Sequence, residues 1–193
     1  MRKLTLIFLT PFFLAGLSLA QKRVEVGVFL DSLSISQTST NNLGLGARVG
    51  FRIHPNVMLE GELAYDYGLN FDEAYRNVIT GDITAIEHTS IGVTHGLFGP
   101  TLVRGEGHLH PFATLKAGFI DFRLSSSLLP YADIVSPIFN LRTSSLNAAL
   151  YPAAGIEATL GPVGLRFEAG DEVYFNQGAH NNLRITFGPV LRF

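Results

Sequence analysis

The sequence predicts an all-β fold: an eight-stranded antiparallel up-and-down transmembrane β-barrel, preceded by a cleavable signal peptide. Three observations predict it. Apolar and polar residues alternate with a period of two, short and long connections alternate, and charged residues collect on the faces opposite the apolar ones. Mean hydropathy is +0.26, yet no apolar run reaches the roughly 18 residues that suggest a transmembrane helix.

The chain divides into a predicted signal peptide, residues 1–20, and one predicted barrel domain, residues 21–193. Residues 1–3 carry positive charge, residues 4–17 are almost uncharged and apolar, and residues 18–20 form a small-x-small cleavage site. The apolar run is shorter than the roughly 20 residues of a membrane anchor. We therefore expect the chain to be exported.

The composition argues against several functional classes. Of 14 Lys and Arg residues, 12 remain once Arg2 and Lys3 are removed, against 16 Asp and Glu, which gives a formal charge of −4. Such a chain lacks the basic surface of a nucleic-acid-binding protein. Because it contains no cysteine, it has neither a disulfide framework nor a thiolate metal site.

Eight alternating segments predict the strands. In the second segment, every odd-numbered position from Leu43 to Ile53 is apolar, and the even-numbered positions between them hold glycine or arginine. Most segments exceed the roughly 9–11 tilted residues that cross a bilayer. The predicted strands are 22–31, 42–53, 57–67, 89–104, 111–123, 145–160, 163–174 and 182–193.

The predicted connections fall into two classes. Those after the second, fourth and sixth strands are short, whereas those after the odd-numbered strands are mostly longer. This asymmetry is typical of transmembrane barrels, which have short turns on one side and longer loops on the other. The short connections are 54–56, 105–110 and 161–162, and the longer ones are 32–41, 68–88, 124–144 and 175–181.

Three prolines interrupt predicted strands and predict local irregularities. Pro100, Pro152 and Pro189 each remove a hydrogen-bond donor from the ladder, which strands tolerate mainly at edges, ends or bulges. Pro100 and Pro189 belong to a repeated Phe-Gly-Pro phrase. We expect these two to form bulges near the rim that carries the short turns.

Acidic and basic residues on the inner faces predict the candidate site. Eight strands leave an interior that side chains can fill, and buried charges are tolerated when they are paired. We therefore expect salt bridges to plug the lumen. The predicted lumen charge network consists of Glu25, Arg48, Arg52, Glu60, Glu62, Lys116, Glu157, Arg166, Glu168, Arg184 and Arg192.

A search for chemistry finds no catalytic, cofactor-binding or metal site. His108 and His110 form a close pair on one face, but they lie in a predicted turn, where a solvated pair is the simpler interpretation. Barrel enzymes that deacylate lipid A carry a His-x-Ser pair, in which a base activates a hydroxyl. Here Asn181 and Asn182 follow His180, so we expect no enzyme and no cofactor.

The predicted loop 124–144 is unusually apolar and has two interpretations. It could pack on its neighbours or extend the adjoining strands, or it could form a surface for an extracellular partner, since exposed apolar patches mark contacts. The predicted loop 68–88 is instead polar and acidic. Its acidic residues lack the spacing of a calcium loop.

The mature chain resembles the bacterial outer membrane protein β-barrel domain family, the relatives of OmpA and OmpX. The resemblance rests on Leu97–Pro100, His110–Gly118, Gly155–Phe167, Asn182–Gly188 and Leu191–Phe193. In that family a terminal strand with a C-terminal aromatic residue is the assembly signal, and Phe193 occupies that position. The family shares no catalytic motif.

The resemblance implies an integral protein of the Gram-negative outer membrane. Its expected partners are outer-membrane lipid and lipopolysaccharide, the barrel assembly machinery and an extracellular partner at 124–144. We expect a non-enzymatic, structural or adhesin-like role. The alternatives are a small pore or solute channel, a lipid-modifying barrel enzyme and a soluble ligand-binding barrel.

Overall fold

The computed structural model consists of antiparallel strands that follow one another along the chain. It describes residues 23–105, 107–125, 134–135, 138, 141 and 145–193. The predicted signal peptide lies outside the described residues. Within the described ranges, no helix is long and apolar enough to cross a membrane. The strands are β1 (Val24–Ile35), β2 (Thr40–His54), β3 (Val57–Asn77), β4 (Ile83–Val103), β5 (Leu109–Leu124), β6 (Ile134–Val135), β7 (Leu146–Leu160), β8 (Val163–Phe175) and β9 (Ala179–Arg192).

Eight of these strands close into a barrel. Each pairs with its neighbour in the chain, with β5 pairing directly with β7, and β1 pairs with both β2 and β9. At the seam, the amide of Phe193 donates to the carbonyl of Val24 at 2.9 Å. The eight strands therefore form a closed ring, and the predicted eight-stranded antiparallel barrel is confirmed.

The two faces of the strands differ as the sequence predicts. Along β2, leucine, valine and phenylalanine at odd positions face outward and are more than a third exposed, whereas Arg48 on the opposite face is 3% exposed. An apolar exterior around a charged interior is the arrangement of a barrel that sits in lipid. Exposed apolar side chains occur on each of the eight barrel strands.

Three of the four predicted long connections are shorter in the structure than predicted, whereas β5 and β7 are still joined by the long segment 125–145, which contains β6. Residues 36–39, 78–82 and 176–178 are turns as short as those on the opposite rim. The strands instead continue through most of the predicted loops 32–41, 68–88 and 175–181. The clearest case is the β3–β4 hairpin, whose strands have 21 residues each, because their polar residues still support a hydrogen-bonded ladder.

The interior is not polar throughout. Toward the outer end, where β3 and β4 project, a buried apolar cluster fills the lumen. It includes Ile138 and Leu141, which are 2% and 0% exposed and come from the predicted loop 124–144. For these two residues, packing inside the barrel is therefore the correct interpretation. The buried members of the cluster are Leu33, Ile35, Ile91, Val93, Leu97, Ile120, Phe122, Ile138, Leu141, Ala149, Tyr151 and Tyr174.

The predicted bulges at the prolines are not present. Around Pro189, β1 and β9 pair on both sides of a two-residue gap without a change of register, and Pro100 shows the same pattern between β4 and β5. Each proline therefore interrupts the hydrogen-bond ladder, but its strand contains no extra residue at that position. Register shifts occur elsewhere, between Arg52 and His54 and between Asp66 and Leu69.

Glycine is required immediately before Pro189. A Cβ at Gly188 would overlap the carbonyl oxygen of Val28 and crowd the Cα of Phe29. We expect Gly188→Ala to lower the free energy of unfolding by about 1–3 kcal/mol, the usual cost of overpacking, measured by urea unfolding in detergent. Gly61→Ala is the control, because its Cβ would meet only Phe98 at 3.7 Å; equal losses would contradict the argument.

Candidate functional site: the charge network of the lumen

The half of the barrel next to the β2–β3, β4–β5 and β7–β8 turns contains a connected series of ion pairs in its lumen, here called the lumen network. Its members lie at alternate positions on β1–β5 and β7–β9, because the period of a strand places every second side chain inside. Most of these side chains are less than 5% exposed. In such surroundings each charge needs an opposite charge or hydrogen bonds to be tolerated.

The network begins next to the rim that carries the β4–β5 and β7–β8 turns. Arg192 Nη2 lies 2.6 Å from Glu157 Oε1, and Arg192 Nε lies 3.0 Å from Glu25 Oε2. Outside this layer is a cavity of about 740 Å³, whose lining includes Arg52, His110 and Arg192. Arg192 thus lies between this cavity, here called the vestibule, and the buried part of the lumen.

Arg166 forms the next layer. Its guanidinium makes a two-point contact with the Glu60 carboxylate, and its Nη2 also donates to Glu168 at 2.8 Å. The planar group lies 3.8 Å above the Phe112 ring centre. A planar guanidinium can contact both oxygens of a carboxylate and stack on an aromatic ring at the same time. A lysine ammonium group cannot make both contacts.

Lys116 occupies the centre of the barrel among three carboxylates. Its Nζ lies 2.7 Å from Glu62, 3.1 Å from Glu168 and 3.3 Å from Glu60. An ammonium group carries three donors on a compact charge, so one lysine holds carboxylates from β3 and β8 together. Arg48 reinforces the layer, since its Nη1 lies 3.0 Å from Glu168.

Arg184 links this centre to a further layer. Its Nη1 lies 2.6 Å from Glu62, and its Nε and Nη2 both donate to the Asp31 carboxylate, at 2.9 Å and 2.7 Å to Oδ2. Beyond Asp31, the His95 ring lies 3.3 Å from Asp31, 3.2 Å from Asp66 and 2.8 Å from Glu172. Ion pairs therefore run from Arg192 to Asp31, and the contacts of His95 with three carboxylates continue the series.

Ten of the eleven predicted residues lie together in this network. They are Glu25, Arg48, Glu60, Glu62, Lys116, Glu157, Arg166, Glu168, Arg184 and Arg192. Arg52 stands apart: its Nη1 donates to the carbonyl of Pro55 at 2.8 Å, and it has no ion pair within the described part of the chain. It lies beside the turn, where water can solvate the charge.

Four network residues are absent from the predicted set: Asp31, Asp66, His95 and Glu172. The acidic residues lie on strand faces that the alternation already marks as inner. His95 gives no such signal, because its inner-face neighbours on β4 are Ile91, Val93 and Leu97. That face looks apolar in sequence since it lines the apolar cluster. Only the barrel brings the four side chains together.

The remaining histidine candidates do not form a site. His108 is exposed and His110 is partly exposed beside the vestibule, which fits the interpretation of a solvated pair. His180 stacks on Tyr174 with ring centres 5.0 Å apart, and its ring nitrogens contact the Asn176 carbonyl and the Gln37 amide. These contacts hold the ring in place without a hydroxyl group that it could activate.

Comparison with known proteins gives no match at the level of sequence. No family model matches the chain, and no curated protein matches it.

Comparison of structures gives consistent matches to outer-membrane barrels. Ail, the attachment invasion locus protein of Yersinia pestis, matches with a TM-score of 0.50 and 14% identity over 89% of this chain and 97% of that one. Neisserial surface protein A matches at 0.56 and 10%, over 88% and 96%. OprG from Pseudomonas aeruginosa matches at 0.51 and 10%, over 90% and 96%.

The chain therefore has the fold of the eight-stranded outer-membrane barrels. The predicted fold class is confirmed, and the predicted outer-membrane location agrees with these neighbours and with the apolar exterior. At sequence identities of 10–14%, the structural similarity shows a shared fold and does not show a shared molecular activity.

Removing the central cation tests the energetic role of the lumen network. Lys116→Met leaves Glu60, Glu62 and Glu168 close together with less positive charge, and we expect a loss of about 3–5 kcal/mol in the free energy of unfolding. Urea unfolding in detergent micelles measures it. Arg123→Gln is the control, because Arg123 pairs with Asp121 on the surface and should change stability by at most about 1 kcal/mol. Similar losses in both variants would refute a central role for Lys116.

Proposed function

We propose that this protein is a non-enzymatic outer-membrane barrel with an occluded lumen, which serves as a rigid scaffold for an extracellular interaction surface. The observation that supports the occlusion is the series of ion pairs from Arg192 to Asp31, which the contacts of His95 continue. Beyond His95, the apolar cluster continues the filling toward the outer end. A charged plug followed by an apolar one leaves no favourable path for a hydrated ion.

The proposed interaction surface is the tip of the β3–β4 hairpin. Val78, Ile79, Ile83 and Ile86 are 49–76% exposed there, on the longest strands of the barrel. Exposed apolar groups that cluster on a projection mark contact surfaces. The name of the similar Ail protein refers to attachment, which supports an adhesive role for a projecting element of the same fold.

This proposal moves the interaction surface away from the predicted loop 124–144. Two of its residues, Ile138 and Leu141, are buried, and Ile134–Val135 pair with the β3 residues Arg76 and Asn77. The described part of the segment therefore extends the sheet at the edge of β3 near the hairpin tip. As further partners we propose outer-membrane lipid and lipopolysaccharide around the apolar exterior, and the barrel assembly machinery at Phe193.

Conductance measurements test the occlusion. The detergent-extracted protein, reconstituted into planar lipid bilayers, should give no stable current, whereas an open porin in the same lipid provides the positive control. We expect Glu60→Gln to remain silent too, because the remaining layers still fill the lumen. A stable wild-type current whose ion selectivity changes in Glu60→Gln would establish the alternative, a small channel.

Cell adherence tests the hairpin tip. A non-adherent Gram-negative strain that displays the protein should bind cultured epithelial cells, and the double variant Val78→Ser/Ile79→Ser should reduce binding by about fivefold or more, since apolar anchors at contacts are worth more than about 1 kcal/mol. The control is Leu160→Ser/Val163→Ser, which removes exposed apolar groups at the opposite rim. Equal binding by the wild type and the tip variant would reject the surface.

A further inference from the structure

Where the lumen network meets the apolar cluster, three side chains from three strands converge on one point. Asp31 of β1, Asp66 of β3 and His95 of β4 each present a ligand atom, and these atoms all lie within 4.8 Å of one another. We propose that Asp31, Asp66 and His95 bind one divalent transition-metal ion, of the Zn²⁺ class, inside the barrel. This site revises the sequence-based expectation that the chain has no metal ligands.

The orientation of His95 favours metal binding. Its Nδ1 lies 2.8 Å from Oε2 of Glu172, a contact that is favourable when Nδ1 carries the proton. In the neutral ring, Nε2 then holds the lone pair and faces the two aspartates. Metal-binding histidines commonly have this arrangement, in which a carboxylate on the far nitrogen fixes the tautomer and makes the ligand more basic. Glu172 would be that supporting carboxylate.

The two distances from His95 Nε2 to the aspartate oxygens fit a tetrahedral ion. Nε2 of His95 lies 3.3 Å from Asp31 Oδ2 and 3.2 Å from Asp66 Oδ2. Zinc bonds to imidazole nitrogen and carboxylate oxygen are about 2.0–2.2 Å long, so two ligands on a tetrahedron are separated by roughly 3.3–3.5 Å. One nitrogen and two oxygen ligands suit Zn²⁺ better than Ca²⁺, which takes 6–8 oxygen ligands.

Asp31 already accepts hydrogen bonds from Arg184, but the ligand atoms of the other two residues have no hydrogen-bond partner among the described residues. Both carboxylate oxygens of Asp66 and Nε2 of His95 are fully buried, and none makes a hydrogen bond within the described part of the chain. Although Nε2 and Asp66 Oδ2 are close, their geometry does not meet that of a hydrogen bond. A buried carboxylate without a donor is costly, and a bound cation would remove that cost.

The charges around the site also favour a bound cation. Asp31, Asp66 and Glu172 surround His95, and the nearest described cation, Arg184, also pairs with Glu62 at 2.6 Å. A single proton on Nε2 would neutralise one charge and could be directed at only one aspartate. A divalent ion compensates two charges and contacts both aspartates at once.

Metal content of the refolded protein tests the site. The full chain is extracted from outer membranes in detergent, unfolded in urea with EDTA, and refolded with ZnCl₂, because the buried site is best loaded as the barrel closes. After gel filtration we expect about one zinc ion per folded chain. Asp66→Asn and His95→Gln should retain at least tenfold less, and Glu172→Gln should weaken affinity by about 10–100-fold, as loss of a supporting carboxylate does.

Glu157→Gln is the matched control, since it removes a buried carboxylate at the opposite end of the lumen network and should retain the ion. Heat-modifiable gel mobility establishes that each variant is folded. Refolding with Co²⁺ adds a spectroscopic measurement: the wild type should give the intense visible bands of tetrahedral cobalt, and His95→Gln should not. A folded wild type without bound zinc, or equal zinc in the wild type and Asp66→Asn, would overturn the proposal and leave a protonated His95 as the explanation.

Discussion

The narrow lumen of an eight-stranded barrel imposes one constraint on the rest of the molecule: a charge placed inside it must meet an opposite charge. Eight strands leave room for side chains but little room for water. The structure meets this constraint with three arginines and one lysine that each contact two or more carboxylates, as Lys116 does with Glu60, Glu62 and Glu168. Because these contacts join different strands, they also fix how the strands are arranged around the axis.

The lumen changes character along its length. The half next to the β2–β3, β4–β5 and β7–β8 turns is charged, and the outer half contains the apolar cluster, which includes Ile138 and Leu141. Buried ion pairs contribute less to stability than their number suggests, because each charge loses its hydration. The apolar cluster has no such penalty, so we infer that it supplies much of the packing stability while the ion pairs specify the arrangement of the strands.

A filled and rigid lumen restricts where function can lie. The lipid-facing exterior is apolar on every barrel strand, which leaves the rims and the β3–β4 hairpin as places for contact with other molecules. The site at His95 lies where the charged and apolar halves meet, and carboxylates outnumber cations there. A metal ion at this position would complete the charge balance and tie β1, β3 and β4 together.

The sequence by itself determined the fold, the eight strands and most of the lumen network. It could do so because alternation at a period of two depends only on the neighbours of each residue, as Leu43 to Ile53 illustrate. Three features were decided by the tertiary structure: where strands end within polar segments, that the prolines do not shift the register, and that Asp31, Asp66, His95 and Glu172 converge. Alternation assigns a residue to a face, but closure of the barrel and strand register decide which inner-face residues of different strands meet. His95 in particular has apolar inner-face neighbours on its own strand, and its carboxylate partners come from β1, β3 and β8.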